Sequence, residues 1–307
     1  MASLNDWFIA TNPKTFAATI TSSTVGALTA YYLVGRFDII KYLLTVVGVV
    51  LAQAGVNLIN DYYDYKSGAD LLYVSMSIRH KMHSILDLGI SERSVMFGGF
   101  LLMIVAAVIG VYLGLLVSLL AIVPLIVVGA FLGVSYSIPP LKLRYRGIGE
   151  VLASLALGPL TGLGAFAVQV GYLSLVPFVN TIPNGCFTEL ALLSAGMLHR
   201  ETDALMNKRT LAVLLGARGS GLLAIALIGI MYSSLIASVL LSYLPVISLI
   251  ALLTLPIAIY YTRTMLRGII SEEDYRKLRA LWGGTFSVRV IYSAMVILSI
   301  IIAKVLG

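Results

Sequence analysis

Residues 39–70 run IIKYLLTVVGVVLAQAGVNLINDYYDYKSGAD. Between Ile39 and Asn57 the sole charge is Lys41, and about 20 apolar residues in succession suffice for a helix to cross the hydrocarbon core of a bilayer. After Asn57 no Gly or Pro stops the chain until Gly68, so the same helix is expected to carry Asn60, Asp61 and Asp64 on its end. A membrane span that delivers acidic groups to a surface is the unit from which the rest of the chain is read.

The unit recurs. Apolar stretches separated by Gly, Pro and charged clusters predict transmembrane helices near 16–34, 39–60, 94–114, 117–136, 148–169, 173–198, 219–241, 245–263 and 283–304. The reading is an all-α integral membrane protein with nine transmembrane helices, and residues 1–307 form one domain without low-complexity tracts. Composition agrees: of 307 residues 59% are hydrophobic and 11% charged, against roughly 25% charged in a soluble domain. So few charges exclude a soluble globule, a disordered chain, a coiled coil and a nucleic-acid-binding module. Cys186, the single cysteine, excludes a disulfide framework and a Cys-ligated zinc site, which leaves it a packing role. Lys14 precedes an apolar stretch reaching Val34, longer than a signal-peptide core, so the first helix is expected to be retained.

Nine spans put the termini on opposite sides and allow the basic residues to be sorted. One side receives Lys14, then Lys66, Arg79, Lys81 and Arg93, then Lys142, Arg144 and Arg146, then Arg200, Lys208, Arg209 and Arg218, and last Arg263, Arg267, Arg276, Lys277 and Arg279. These seventeen face only Arg36, Lys41 and Lys304, while Arg289 falls inside a span. The bias predicts a multi-pass protein of the cell membrane with a cytoplasmic N-terminus. Loops 59–93, 137–147, 199–218 and 264–282 are then cytoplasmic and long, whereas the opposite connections are short. Function concentrates on long loops over a rigid scaffold, so the active site is expected on the cytoplasmic face.

Two of these loops carry acids. Asn57, Asn60, Asp61 and Asp64 are spaced by three and four and share a helical face, with Asp70 close behind. Such a cluster is either a solvated helix end or a site for a hard divalent cation of the Mg²⁺ kind. The sixth span runs into His199-Arg-Glu-Thr-Asp203, an i,i+4 pair followed by Lys208, Arg209 and Thr210. Acidic ends after helices 2 and 6 suggest a pseudo-repeat of helices 1–4 and 5–8, plus helix 9, with both clusters facing a central cavity. Mg²⁺ in such places is shared with substrate phosphates, and Lys and Arg take the remaining charge, which implies a diphosphate at the membrane surface.

On these residues the chain resembles the UbiA superfamily of intramembrane prenyltransferases. Asn60-x-x-x-Asp64 followed by Asp70 is similar to the family's first Asp-rich motif, and Asp203 with Lys208-Arg209-Thr210-Leu211 to its second. Asn57-Leu-Ile-Asn-Asp-Tyr-Tyr-Asp64, Tyr136-Ser-Ile-Pro-Pro-Leu-Lys142 and Tyr145-Arg-Gly-Ile-Gly-Glu150 are most similar to the branch that prenylates 1,4-dihydroxy-2-naphthoate for menaquinone. The resemblance covers about residues 12–300. It implies a UbiA-like fold with cytoplasmic cap loops over a central cavity, and Mg²⁺-dependent transfer from a prenyl diphosphate to a small aromatic acceptor in quinone biosynthesis. It implies Mg²⁺ on Asn60, Asp64, Asp70 and Asp203, and catalytic roles for Asn60, Asp64, Asp203 and Lys142. Substrate contacts then fall to Asn57, Asp61, Tyr136, Arg144, His199, Lys208 and Arg209. Beyond the two substrates and the lipid bilayer no nucleic acid or obligate protein partner is expected.

Where the family's second motif has Asp, this chain has His199, and Ala195, Gly196 and Leu198 stand near it. Imidazole suits Mg²⁺ less well than carboxylate. In place of the family's usual Arg-x-x-Pro pattern stand Arg79 and Lys81, which are either phosphate contacts or solvated charges. Glu189 lies ten residues before His199, about 15 Å deeper, and Arg289 lies in the ninth span; an ion pair between them is the simplest expectation. Gln53 and Gln169 could bond other helices or substrate. Rival readings are another acceptor, such as 4-hydroxybenzoate or a glycerol-lipid alcohol, and a transporter or non-catalytic protein derived from the same fold. A transporter should line a path through the bilayer with polar groups, and the short-loop side has almost none.

Overall fold

The computed structural model describes residues 2–76, 81–267 and 272–306. Ser3 caps the first helix, α1 (Leu4–Ala10), by accepting from the Asp6 amide, and Asp6 accepts from the Ser3 amide in return. A 3-10 turn at Pro13–Phe16 leads into α2 (Ala17–Val34). Asp38 accepts from the amides of Ile40 and Lys41 and starts α3 (Ile39–Ser67). At 1.5 Å per residue the 29 residues of α3 extend about 43 Å, well past a hydrocarbon core of about 30 Å. That length is enough for its last turns, with Asn60 to Asp64, to reach a membrane surface. Gly68, at φ +82°, ends α3 by donating to the carbonyls of Asp64 and Tyr65, a left-handed cap that a side chain would strain.

The chain continues through α4 (Ala69–Ser75), α5 (Glu92–Leu116), α6 (Leu119–Ser137) and α7 (Gly149–Leu155). A π turn at Ala156–Leu160 passes into α8 (Thr161–Val170), and it encloses Pro159, which cannot donate to an α-helical ladder. Then follow α9 (Leu175–Asn180), α10 (Ile182–Leu198), α11 (Arg200–Leu205) and α12 (Leu211–Leu240). A 3-10 stretch at Val246–Thr254 precedes α13 (Leu255–Arg267), and α14 (Glu272–Leu306) completes the fold. No strand occurs among the described residues.

Seven stretches among the described residues are long and apolar enough to cross a bilayer: α3, α5, α6, Gly149–Val170, α12, Val246–Arg263 and Arg276–Leu306. The other two expected spans are α2, rich in Ser and Thr, and α9 with α10, where the expected helix over 173–198 breaks at Thr181. These are inner helices, most of their residues being buried by neighbours rather than facing lipid. Their polar groups find partners there: Thr29 with Asn180 at 3.1 Å, Thr21 with Asn184 at 3.0 Å, and Thr19 with Gln53 at 2.9 Å. Protein-facing hydroxyls and amides are tolerated in a bilayer because each finds an interhelical partner.

Lipid tails are as apolar as leucine, so close backbone approach has to hold the helices together. A Cβ on Gly26 of α2 would lie 2.1 Å from the Gly162 carbonyl oxygen of α8, and one on Gly55 of α3 would lie 2.6 Å from that of Gly99 on α5. The largest apolar core surrounds α10, where Leu193 packs with Met231 of α12 and with Leu278 and Tyr292 of α14; the Cys186 side chain lies in the same core. Between this core and the α3–α5–α6 side the helices leave a central cavity.

Candidate active site

The cavity encloses about 430 Å³ and is polar at one end. Its walls below that end are mostly aliphatic, reaching Leu44 on α3, Leu113 on α5, Ile126 on α6 and Val168 on α8, with Glu150, Thr188 and Arg289 as polar exceptions. The polar mouth is formed by Asn60, Tyr73, Lys81, Arg144, His199, Asp203 and Lys208, drawn from α3, α4, the α4–α5 connection, the α6–α7 connection and the segment around α11. Loops 59–93, 137–147 and 199–218 thus meet on one face, as the alternation of spans required.

Two charge clusters organise the mouth. In the first, the Arg144 guanidinium donates to Asn60 Oδ1 and Asp64 Oδ2, Asn60 Nδ2 donates to Asp64 at 3.2 Å, and Ser137 Oγ donates to Asn60 Oδ1 at 3.0 Å. Burial works most strongly against the Arg144 charge, but Asp64 together with Tyr136, Tyr73 and Tyr145 outweighs it and holds the guanidinium above its ordinary pKa. In the second, Tyr73 OH donates to Asp203 Oδ1, while Lys208 Nζ lies 3.0 Å from Tyr73 OH and 3.4 Å from Asp203 Oδ1. The same ammonium stands 5.6 Å from the Tyr73 ring centroid and 5.5 Å from that of Tyr145, within cation–π range. His199 packs on Tyr73 with ring centroids 4.3 Å apart. Burial, followed by the Lys208 and Arg144 charges, holds the His199 pKa down at about 3, so the imidazole is neutral at physiological pH.

The remaining acids are engaged behind the mouth. Asp61 pairs with Lys81 and accepts from Ser84 through its amide at 3.2 Å and hydroxyl at 2.9 Å. Asp70 lies 3.5 Å from His83 Nε2. Burial and then the charge of Asp64 push the Asp70 carboxyl up to about 8, while burial and then Lys81 hold His83 below its usual range. Asp70 therefore keeps its proton at neutral pH.

Set against the sequence reading, the geometry divides the candidates. Asn57, Asn60, Tyr136, Arg144, His199, Asp203 and Lys208 line the cavity, and Asp64 sits directly behind Asn60 and Arg144. Asn57 also donates to the Thr11 carbonyl at 2.9 Å and to Thr15 Oγ1 at 3.1 Å, which ties α3 to the N-terminal segment. Asp61 and Asp70 do not line the cavity, because each is held by a local partner. Lys142 is also outside it, 5.5 Å above the Tyr145 ring centroid. Arg209 is exposed and contributes its amide to the Tyr145 carbonyl at 3.2 Å. Arg79 lies outside the described residues. The expected Glu189–Arg289 pair does not form: Glu189 accepts from Ser154 Oγ at 2.6 Å, and Arg289 donates to the Asn184 carbonyl and Thr188 Oγ1. Gln53 bonds Thr19 and the Thr15 carbonyl, and Gln169 bonds the backbone of Asp38, so both serve helix packing.

Tyr73, Ser84 and Ser137 were not singled out by sequence. Tyr73 left one signal, its three-residue spacing from Asp70 on a short helix, which puts the two on one face. Ser84 and Ser137 left none, since each acts through a tertiary contact. As for Mg²⁺, no group of three or more His, Cys, Asp or Glu side chains is gathered among the described residues. The oxygen donors at the mouth are the Asn60 amide backed by Asp64 on one cluster and Asp203 on the other. One or two carboxylates, completed by phosphate oxygens and water, is the donor set Mg²⁺ takes in phosphate sites, so these residues fit it.

The profile of the UbiA prenyltransferase family matches residues 20–300. The chain is 30% identical over 256 residues to UbiA prenyltransferase domain-containing protein 1 of Danio rerio, covering 82% of this chain and 73% of that protein. Its Homo sapiens counterpart is 30% identical over 254 residues, with 82% and 72% covered. Among solved structures, the fold is similar to the apo form of a UbiA homolog from Aeropyrum pernix K1, with TM-score 0.65, 16% identity and coverage of 92% and 97%. It is also similar to a UbiA homolog from Archaeoglobus fulgidus bound to GPP and Mg²⁺, with TM-score 0.62, 13% identity and coverage of 95% and 99%. The chain belongs to the UbiA prenyltransferase family and is a membrane prenyltransferase.

Proposed function

We propose that the chain transfers a prenyl group from a prenyl diphosphate to an aromatic acceptor, 1,4-dihydroxy-2-naphthoate or a related quinone precursor, with Mg²⁺. One observation carries this: Lys81, Arg144 and Lys208 at the mouth of an aliphatic cavity. The headgroup and tail of such a substrate require that combination.

Arg144 and Lys208 balance Asp64 and Asp203, and a diphosphate competes for the same two cations. Arg144 offers a planar fork matched to phosphate oxygens, and Lys208 a point charge aimed from the opposite side. Mg²⁺, held by Asn60, Asp64 and Asp203, would supply Lewis-acid stabilisation of the departing diphosphate. Tyr73 fixes the Asp203 carboxylate and the Lys208 ammonium relative to each other. The aliphatic walls seat the prenyl tail and exclude water from the allylic cation. We place the mouth on the cytoplasmic side because the basic loops gather there.

The test is to incubate the purified protein with Mg²⁺, a prenyl diphosphate and a panel of acceptors: 1,4-dihydroxy-2-naphthoate, 4-hydroxybenzoate and a glycerol-lipid alcohol. Prenylation of an aromatic acceptor is expected, and Asp64→Ala should lower it by about a hundredfold or more, the scale on which losing one charge-stabilising group acts. Undiminished turnover by Asp64→Ala, or transfer to the glycerol lipid alone, would exclude the reading.

A further inference from the structure

Arg144 and Lys208 lie on segments far apart in the chain, and a diphosphate at the mouth has to engage both at once. Their spacing therefore depends on how the two segments are joined. The first, the turn ahead of α7, folds tightly on itself: a Cβ on Gly149 would lie 2.6 Å from the Arg144 backbone nitrogen and Cα. Glu150, the next residue, is thereby fixed relative to Arg144. The second segment ends where α12 begins, with Lys208 three residues before Leu211.

Glu150 reaches from one to the other. It is 4% exposed, and its Oε1 accepts from the Leu211 amide at 3.1 Å. Leu211 opens α12, where the first amides have no carbonyl of their own helix to bond. A carboxylate there satisfies one of them and meets the positive end of the helix dipole. Thr210 caps the same helix through the Val213 amide at 3.4 Å, so the two side chains serve different donors. Alongside, the Arg209 amide donates to the Tyr145 carbonyl at 3.2 Å. Glu150 Oε2 has no hydrogen-bond partner, which leaves the Leu211 contact as the hold this side chain exerts. An acid buried in a membrane span marks a functional position by default, and this one grips the backbone that carries Lys208.

We infer that Glu150 is a positioning residue for diphosphate binding: by holding the Leu211 amide it sets the separation of Lys208 from Arg144. The inference rests on the prenyl-transfer reading, in which those two cations take the diphosphate. Displacing a substrate-positioning group by about 1 Å can cost on the order of a hundredfold, so losing this hold is measurable as binding.

Geranylgeranyl diphosphate and geranylgeraniol share a tail and differ in headgroup, and each is titrated with Mg²⁺ into the full-length protein in detergent. Wild type should prefer the diphosphate. Glu150→Ala should weaken the diphosphate by about tenfold or more and the alcohol by less than about twofold. Glu150→Gln keeps an oxygen that can accept from Leu211, so it should stay within about threefold of wild type for both ligands. Leu211→Pro removes the donor from the other side. Proline suits the first position of a helix, and Thr210, at φ −65° and ψ 162°, has the extended backbone that a following proline requires. This variant should weaken the diphosphate as Glu150→Ala does, and combining the two should add nothing further. An additive double variant, or Glu150→Gln as weak as Glu150→Ala, would overturn the proposal. So would equal weakening of diphosphate and alcohol in both single variants, the pattern of a merely structural brace. A wild type without preference for the diphosphate overturns the prenyl-transfer reading and this inference with it. A preference that survives Glu150→Ala, whatever happens to turnover, overturns this inference alone.

Discussion

His199 stands one residue past α10, neutral, packed on the tyrosine that holds Asp203. Its folded pKa of about 3 lies below the 6.5 of a free histidine. Between these values the unfolded chain binds a proton that the native chain does not, so stability rises with pH there and is lost on acidification. From pH 7 to pH 5 this one group should cost roughly 2 kcal/mol. Asp70 works in the opposite direction, because a carboxyl raised to about 8 gives up its stabilisation as pH climbs from 3.8 toward 8. The expected outcome is therefore a difference: thermal unfolding of His199→Gln in detergent should lose less stability between pH 7 and pH 5 than wild type. Equal pH slopes in the two proteins would show that His199 is charged in the native state. Asn60, Asp64 and Asp203 could be named from sequence because helical spacing and charge mark them. The departure of Lys142 and Asp70 from the cavity could not, since it depends on which neighbour each side chain meets, Tyr145 and His83.

α2 shows how close backbone contact adds to side-chain hydrogen bonds in holding an element in place. Gly26 faces Gly162 so closely that a Cβ would meet the carbonyl oxygen at 2.1 Å, and backbone has little room to yield. Gly26→Val should separate α2 from α8 and destabilise the protein by about 1–3 kcal/mol, the usual scale of overpacking. Thermal unfolding in detergent would register this, and an unchanged midpoint would contradict the packing. The spans as apolar stretches were legible residue by residue, because the bilayer imposes a length on each. The break at Thr181, the π turn around Pro159 and the 3-10 start at Val246 were not, since helix geometry there answers to neighbouring helices.

For the molecule as a whole, the basic loops predict that the cavity mouth faces the cytoplasm. The native Cys186 is the single cysteine and is buried, so introduced cysteines can be read cleanly. In intact cells an impermeant thiol reagent should label Arg36→Cys and should reach Arg146→Cys only after the membrane is opened; both side chains are exposed. The reverse pattern would place the mouth outside. Sequence alone determined that this chain lives in a bilayer, how its spans alternate, and that two acid-bearing helix ends share one face, because hydrophobic length and charge bias are local properties that the membrane reads directly. Only the tertiary structure decided that Arg144 and Lys208 neutralise those acids, that Tyr73 ties Asp203 to Lys208, and that Arg289 faces the cavity instead of Glu189. Those pairings depend on distances between helices far apart in the chain, which close glycine contacts and buried hydroxyl bonds fix only when the bundle has assembled.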